Sequence, residues 1–173
     1  MSVMIIYETL EGQTGKIARW LAEQVAEAGQ ETILVDTAEP GNPTFSGVDR
    51  VILAAPVHER RHPPRFEAFV GAQKERLAQV PSLMLSVSLK AAFDGGHIEA
   101  RDYLREMKMR TGFTPQREIL VAGAVRAGAY GYFETEVLRH VVLQGQDFTP
   151  EDGPHEFTDW DALADVVDIF LTL

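Results

Sequence analysis

The chain has 173 residues, of which 45% are hydrophobic and 24% are charged, with a formal net charge of −10 and no cysteine. This length and composition predict one globular domain over residues 1–173. The lack of cysteine excludes disulfides, thiol nucleophiles and thiolate metal sites, and the negative charge disfavours binding to nucleic acid or to an anionic bilayer.

Targeting and membrane signals are missing from the sequence. No apolar run is long enough to span a bilayer, and no basic region precedes the first apolar run. We therefore expect a cytoplasmic protein without an integral membrane segment, and the sequence leaves its oligomeric state open. The histidines show no metal-ligand spacing and no nucleophile–base arrangement is visible, so we predict neither a metal site nor covalent hydrolysis.

Five short apolar runs predict the strands of a parallel sheet. In chain order they are Val3–Tyr7, Thr32–Val35, Val51–Ala55, Leu83–Ser88 and Ile119–Val125. Segments with a helical period separate most of these runs. The alternation is typical of α/β proteins with a doubly wound sheet and helices on both faces.

Four helices are predicted from this periodicity and from their terminal residues. Their predicted boundaries are Gly29 after the first, Pro63-Pro64 before the second, Gly112 after the third, and Thr158 before the last. Thr158 is followed three residues later by Asp161, which resembles a capping box.

An extra segment, Arg126 to Phe157, lies between the last strand and the last helix. Its middle part, Tyr132 to Leu143, has the pattern of an amphipathic helix. The segment is acidic and poor in lysine and arginine, which argues against docking on an anionic membrane.

The first strand, its loop and the following helix form a ready anion site. The loop offers the hydroxyls of Thr9 and Thr14, and Gly12 allows close approach of the backbone. The free N–H groups and the dipole of a helix N-terminus favour a bound negative charge. The pattern predicts a phosphate ligand.

Two further loops are expected beside this one, because ligands of open α/β sheets bind outside the carboxyl ends of the strands, where the strand order reverses. These are Pro56–His62 after the third strand and Ser86–Gly96 at the end of the fourth. We expect them to enclose a planar group whose phosphate lies in the first loop.

The stretch Thr9–Thr14 resembles the phosphate loop of flavodoxins. More narrowly, the chain resembles the flavodoxin-like menaquinone-dependent protoporphyrinogen dehydrogenases. The matching stretches follow the same order over nearly the whole chain: Thr9 with Gly12–Ala18, Asp49–Val51, Phe66–Val70, Ser86–Leu89, Val121–Ala124 and Thr158–Trp160.

This resemblance implies a flavodoxin-like fold with five strands in the order 2-1-3-4-5 and an FMN cofactor. By position, the phosphate would be bound by Thr9, Leu10, Glu11, Gly12, Gln13 and Thr14. The ring would be flanked by Pro56, Val57, His58 and Glu59 on one side and by Ser86, Val87, Ser88 and Leu89 on the other. No catalytic residue is assigned.

The implied activity is the two-electron oxidation of a porphyrinogen in heme biosynthesis, with electrons passed to a quinone. The extra segment would correspond to that family's inserted region near the flavin, which is associated with substrate or membrane contact. Peripheral contact at the inner membrane is therefore an open alternative to a fully cytoplasmic location.

Two other functions remain open. The net charge of −10 would suit an electron carrier that is steered to a basic partner protein. A binding domain that has lost its flavin is the other alternative, because Glu11 places a carboxylate in the phosphate loop and Pro56–His62 contains no Tyr or Trp to stack on a ring. If FMN binds, we expect Glu11 to face solvent or a cation such as Lys16.

The loop after the third strand also carries charged residues. We expect His58 and His62 to be solvated. Arg60 and Arg61, with Arg65, could meet the propionates of a porphyrin or an acidic partner, or they could simply balance surface carboxylates. The sequence leaves these two interpretations equally open.

Overall fold

The computed structural model describes residues 1–125 and 154–173. The strands are β1 (Ser2–Tyr7), β2 (Glu31–Asp36), β3 (Arg50–Pro56), β4 (Ser82–Ser88), β5 (Arg117–Ala122), β6 (Ala124–Val125) and β7 (His155–Glu156). The helices are α1 (Gln13–Glu27), α2 (Pro64–Leu77), α3 (His97–Thr111) and α4 (Trp160–Thr172). The predicted helix within Tyr132 to Leu143 lies outside the described residues.

The main sheet has five parallel strands in the order β2-β1-β3-β4-β5. This order confirms the predicted fold. Strand β1 lies between β2 and β3, so the strand order reverses beside it, and the loops that follow β1 and β3 leave the same edge of the sheet.

Alternate residues of the strands supply two apolar cores, one on each face of the sheet. Val3 and Ile5 of β1 belong to the core that is covered by α1 and α4. Met4 and Ile6 belong to the core that is covered by α2 and α3. A side-chain period of two therefore explains why the central strands read as continuous apolar runs.

The fifth predicted strand is shorter than expected. We predicted Ile119–Val125 as one strand, but β5 ends at Ala122, and β6 pairs antiparallel with β7 in a separate two-stranded sheet. The change of direction occurs at Gly123, whose N–H donates to the carbonyl of Ser88 while its own carbonyl accepts from Phe157. The prediction was wrong because these partners are distant in sequence.

The predicted cap of the last helix was also wrong. Asp159, not Thr158, caps α4, and its Oδ1 accepts from the N–H of Ala162 at 3.0 Å. The hydroxyl of Thr158 donates instead to the carbonyl of Ala122 at the end of β5. The Thr158 hydroxyl therefore bonds to a part-buried carbonyl 36 positions away and does not cap the helix.

The predicted ends of α1 and α3 are confirmed. Gly29 and Gly112 follow these helices with φ angles of 72° and 66°, a left-handed conformation that glycine adopts without steric cost. Across the described residues, none of the helices has the length and apolar composition needed to cross a lipid bilayer.

Candidate functional site

The three predicted loops lie at one edge of the sheet. They follow β1, β3 and β4, which are neighbours in the strand order. The N–H of Glu8 donates to the carbonyl of Ala54, and the N–H of Val57 donates to that of Val87 at 2.7 Å. The fold therefore brings the loops together as the sequence predicted.

The N-terminus of α1 has no side-chain cap. Its N-cap residue is Gly12, with a φ angle of 95°, and among the described residues no side chain caps the N–H groups of the first turn. The Oγ1 atom of Thr9 instead accepts from the N–H of Gly12, at 3.0 Å, and so shapes the loop itself. The N–H groups of the first helical turn are therefore left for a ligand.

A buried hydroxyl lies in the same turn. Thr14 is 1% exposed, and its Oγ1 atom has no hydrogen-bond partner among the described residues. Leaving a buried polar group unpaired costs about 1–3 kcal/mol, so a ligand that supplies a partner would recover this energy. Gly15 completes the turn, because a β-carbon there would lie 3.2 Å from Cγ2 of Thr9.

The other residues of the loop are placed differently. Leu10 is 53% exposed at the tip, and Glu11 is partly exposed. The side chain of Gln13 turns toward Glu156 and Thr158, which leaves only its backbone for a ligand. Lys16, the cation expected near Glu11, donates to Glu156 at 2.6 Å.

The loop after β3 contains a tight turn in an unusual conformation. His58 and Arg61 exchange two backbone hydrogen bonds, and the two residues between them, Glu59 and Arg60, have φ angles of 48° and 66°. Two-residue turns of this hand normally carry Asn or Gly, because a left-handed non-glycine residue costs roughly 1–2 kcal/mol. The strain lies in a loop that is predicted to flank the ligand.

The left-handed conformation of Arg60 predicts a difference in stability between the variants R60G and R60A. R60G and R60A both remove the ion pair with Glu99, in which Arg60 is 66% exposed. Only R60A keeps a β-carbon in the left-handed conformation. We expect R60G to be more stable than R60A by about 1 kcal/mol in urea unfolding, and equal stabilities would contradict the left-handed conformation.

His62 was expected to be solvated, and that expectation was wrong. The side chain is fully buried, with Nε2 3.0 Å from Oγ of Ser86 and no partner for Nδ1 among the described residues. Burial lowers its pKa to about 4, although the charge of Glu67 opposes this shift and that of Arg110 adds to it. Pro63 is also buried, so the chain enters α2 with the imidazole turned inward.

The arginines of this loop have partners within the protein. Arg61 pairs with Glu67 at 2.7 Å, and Arg110 of α3 pairs with the same carboxylate at 2.8 Å. Arg60 lies 3.6 Å from Glu99, and Arg65 donates to the carbonyl of Ala38. The ion pairs of Arg60 and Arg61 favour charge balance over recognition of an acidic ligand.

Glu67 is the buried centre of this arrangement, since its side chain is only 5% exposed. Burial alone would raise its pKa, but hydrogen bonds from Arg110 and Arg61 and their positive charges outweigh burial and lower it. The carboxylate is therefore ionised at neutral pH, and it ties the loop after β3 to the end of α3.

Removing this carboxylate charge should destabilise the protein. We expect Glu67→Gln to lower the free energy of unfolding by about 2 kcal/mol at pH 7, somewhat less than for a fully buried ion pair because both arginines are partly exposed. Because the folded pKa is lowered, the contribution is complete above pH 4.5 and is lost as the pH falls further.

Urea unfolding at neutral and acidic pH measures this effect. Glu106→Gln is the control, because it removes an exposed partner of the same Arg110, and we expect it to cost less than 0.5 kcal/mol, roughly the value of a helix surface pair. A Glu67→Gln variant as stable as wild type at pH 7 would show that the buried pairing adds nothing.

The loop after β4 and the start of α3 contain contacts that were not predicted from the sequence. Glu99 accepts hydrogen bonds from Lys90 at 3.2 Å and from the hydroxyl of Tyr103 at 3.0 Å. Phe93 packs edge-on against Phe157, with ring centroids 5.5 Å apart. The one sequence signal was Gly95-Gly96: a β-carbon at Gly96 would collide with the carbonyl of Lys90, so the loop folds tightly back.

Comparison with known proteins indicates the same protein family as the strand order does. Residues 4–151 match the family described as "Flavodoxin domain". The chain is 26% identical over 165 residues to a protein of Escherichia coli (strain K12) named "Protoporphyrinogen IX dehydrogenase [quinone]", covering 95% of this chain and 91% of the relative. A protein of the same name from Leishmania major is 24% identical over 162 residues, covering 92% of this chain and 70% of the relative.

Solved structures support the fold alone. A short-chain flavodoxin associated with a bacterial microcompartment superposes with a TM-score of 0.52 at 12% identity, covering 69% of this chain and 82% of its own. The rubredoxin oxygen:oxidoreductase of Desulfovibrio gigas gives 0.51 at 17% identity, covering 99% of this chain and 37% of its own. The resemblance inferred from the sequence is thus confirmed, and the chain belongs to the flavodoxin domain family.

Proposed function

We propose that this chain binds FMN and oxidises a porphyrinogen, passing the electrons to a quinone. The observation that carries the proposal is the first turn of α1, where an uncapped helix N-terminus meets the buried, unpartnered hydroxyl of Thr14. A phosphate group supplies the acceptors that both features lack. Relatives named for quinone-linked protoporphyrinogen IX dehydrogenation, aligned over 95% and 92% of this chain, support the reaction.

The residues fit an FMN molecule at this edge of the sheet. The loop Thr9–Thr14 would bind its phosphate through backbone N–H groups and the hydroxyl of Thr14. Pro56–Glu59 of the loop after β3 and Ser86–Leu89 at the end of β4 would flank its ring. The hydrogen bond between Val57 and Val87 fixes the spacing of these two segments. Bound FMN would supply the two-electron redox chemistry, for which the side chains provide position and electrostatics.

The surroundings are suited to a flat, neutral ring. Val57 and Leu89 are partly buried beside the buried strand residues of β4. Arg61 pairs with Glu67 and Lys90 pairs with Glu99, so the positive charges of these two residues are balanced within the protein. Because Pro56–His62 has no Tyr or Trp, contact on that side would be aliphatic or imidazole.

The proposal is tested in two steps with the purified protein. FMN is first added while flavin fluorescence is recorded, and we expect quenching with a dissociation constant in the micromolar range or below. Protoporphyrinogen IX is then added under anaerobic conditions. We expect it to bleach the flavin absorbance, and a menaquinone analogue should restore the colour.

The outcomes separate the alternatives. A flavin-loaded protein that protoporphyrinogen IX does not reduce would exclude the enzyme, and salt-dependent reduction by a basic reductase would then identify an electron carrier. A chain that does not quench FMN would be a flavodoxin-fold domain without flavin, and the proposal would be wrong. Peripheral contact with the inner membrane is tested separately, by sedimentation with vesicles that contain anionic lipid.

A further inference from the structure

A carboxylate outside the three loops contacts the first turn of α1. Glu156 lies in β7, yet its Oε2 atom accepts hydrogen bonds from Nε2 of Gln13 at 3.0 Å and from Nζ of Lys16 at 2.6 Å. Its Oε1 atom accepts from the indole N–H of Trp160 at 2.7 Å. One side chain therefore joins β7, α1 and α4.

Gln13 is the first residue of α1, and the nitrogen of its side-chain amide donates two hydrogen bonds. Besides Glu156, its Nε2 atom donates to Oγ1 of Thr158 at 2.9 Å, and Thr158 donates in turn to the carbonyl of Ala122 at 2.7 Å. Gln13 is only 8% exposed. The start of α1 is thus joined by hydrogen bonds to the end of β5 and to β7.

Aromatic packing supports the same junction. Nζ of Lys16 lies 5.1 Å from the ring centroid of Trp160, which packs on Trp20 of α1 with centroids 5.3 Å apart. The hydrogen bond from Lys16, together with those from Trp160 and Gln13, lowers the pKa of Glu156 against the smaller effect of burial. The carboxylate is charged at neutral pH and can accept all three bonds.

We propose that Glu156 is a positioning residue for the phosphate end of the site, because it fixes the first turn of α1 through Gln13 and Lys16. The inference rests on the proposed binding of FMN. Glu156 does not touch the ligand. It acts by holding the N–H groups and the Thr14 hydroxyl of that turn in the arrangement that a phosphate requires.

A single substitution would be ambiguous. Glu156→Gln removes a negative charge and leaves Lys16 unpaired, and an unpaired cation could attract the phosphate and mask a loss of positioning. The double variant K16Q/E156Q removes both charges and leaves the net charge unchanged. The matched control is K108Q/E118Q, which removes a pair of similar length, 2.8 Å, from the end of α3 and the start of β5.

The readout is the ratio of FMN to riboflavin affinity, because riboflavin has the same ring but no phosphate. We expect K16Q/E156Q to bind FMN about tenfold more weakly than wild type, because one or two hydrogen bonds that hold the first turn of α1 are lost. The same variant should bind riboflavin as wild type does. K108Q/E118Q should keep both affinities.

Each other result contradicts the inference in a distinct way. Unchanged FMN affinity in K16Q/E156Q would show that Glu156 does not position the phosphate site, while the proposed function would stand. Equal losses of FMN and riboflavin would show a general structural role instead. If wild type binds neither flavin, the proposed function fails, and the positioning role fails with it.

Discussion

Thr14→Val is expected to weaken FMN binding by roughly ten- to a hundredfold without destabilising the protein. The hydroxyl is buried and has no partner among the described residues, so the folded chain gains nothing from it alone. A hydrogen bond to a charged group contributes about 1.5–3 kcal/mol, which corresponds to this loss of affinity. Fluorescence titration with FMN measures the affinity, and urea unfolding without ligand measures the stability.

Thr111→Val is the matched control for this variant. Thr111 is also buried, but its hydroxyl donates to the carbonyl of Met107 at 2.9 Å and accepts from the N–H of Phe113. We expect T111V to lose about 1 kcal/mol of stability and to bind FMN as wild type does. If T14V lost stability and kept its FMN affinity, the hydroxyl would have a structural role and no ligand.

The second large effect concerns acid stability. The buried side chain of His62 has its pKa lowered to about 4, whereas an unfolded histidine titrates near 6.5. As the pH falls, the unfolded chain therefore takes up a proton first. His62 should not affect stability above pH 6.5 and should progressively lower it down to pH 4, by about 3 kcal/mol in total.

His62→Gln separates this contribution from other titrating groups, because glutamine can keep a hydrogen bond to Ser86 without titrating. Between pH 7 and pH 4, wild type should lose about 3 kcal/mol more unfolding free energy than H62Q does. Parallel pH profiles for wild type and H62Q would contradict the burial of His62 as a neutral group.

Much of the fold could be predicted because local sequence determines it. Val3, Met4, Ile5 and Ile6 are all apolar and all buried, as a central strand with two covered faces requires. The order of strands was predicted from the resemblance and is confirmed. The loop Thr9–Thr14 was placed correctly at the start of α1, since the loop that follows such a strand leaves the sheet edge.

The parts that could not be predicted depend on contacts between distant residues. Burial of His62 requires Ser86 on the neighbouring strand, 24 positions away. Gln13 was predicted to bind the phosphate, but its side chain contacts Glu156 of β7, which is 143 positions away. In each case the side chain is held by a partner that lies outside its local sequence.

The measurement that bears most directly on the phosphate site is a paired titration of the wild-type chain with FMN and with riboflavin. We propose that the uncapped first turn of α1 and the Thr14 hydroxyl bind a phosphate, and FMN should therefore bind in the micromolar range or tighter. Riboflavin should bind at least about tenfold more weakly, because it lacks the charged acceptor. Equal affinities for the two flavins, or binding of neither, would contradict the assignment of this turn as a flavin phosphate site.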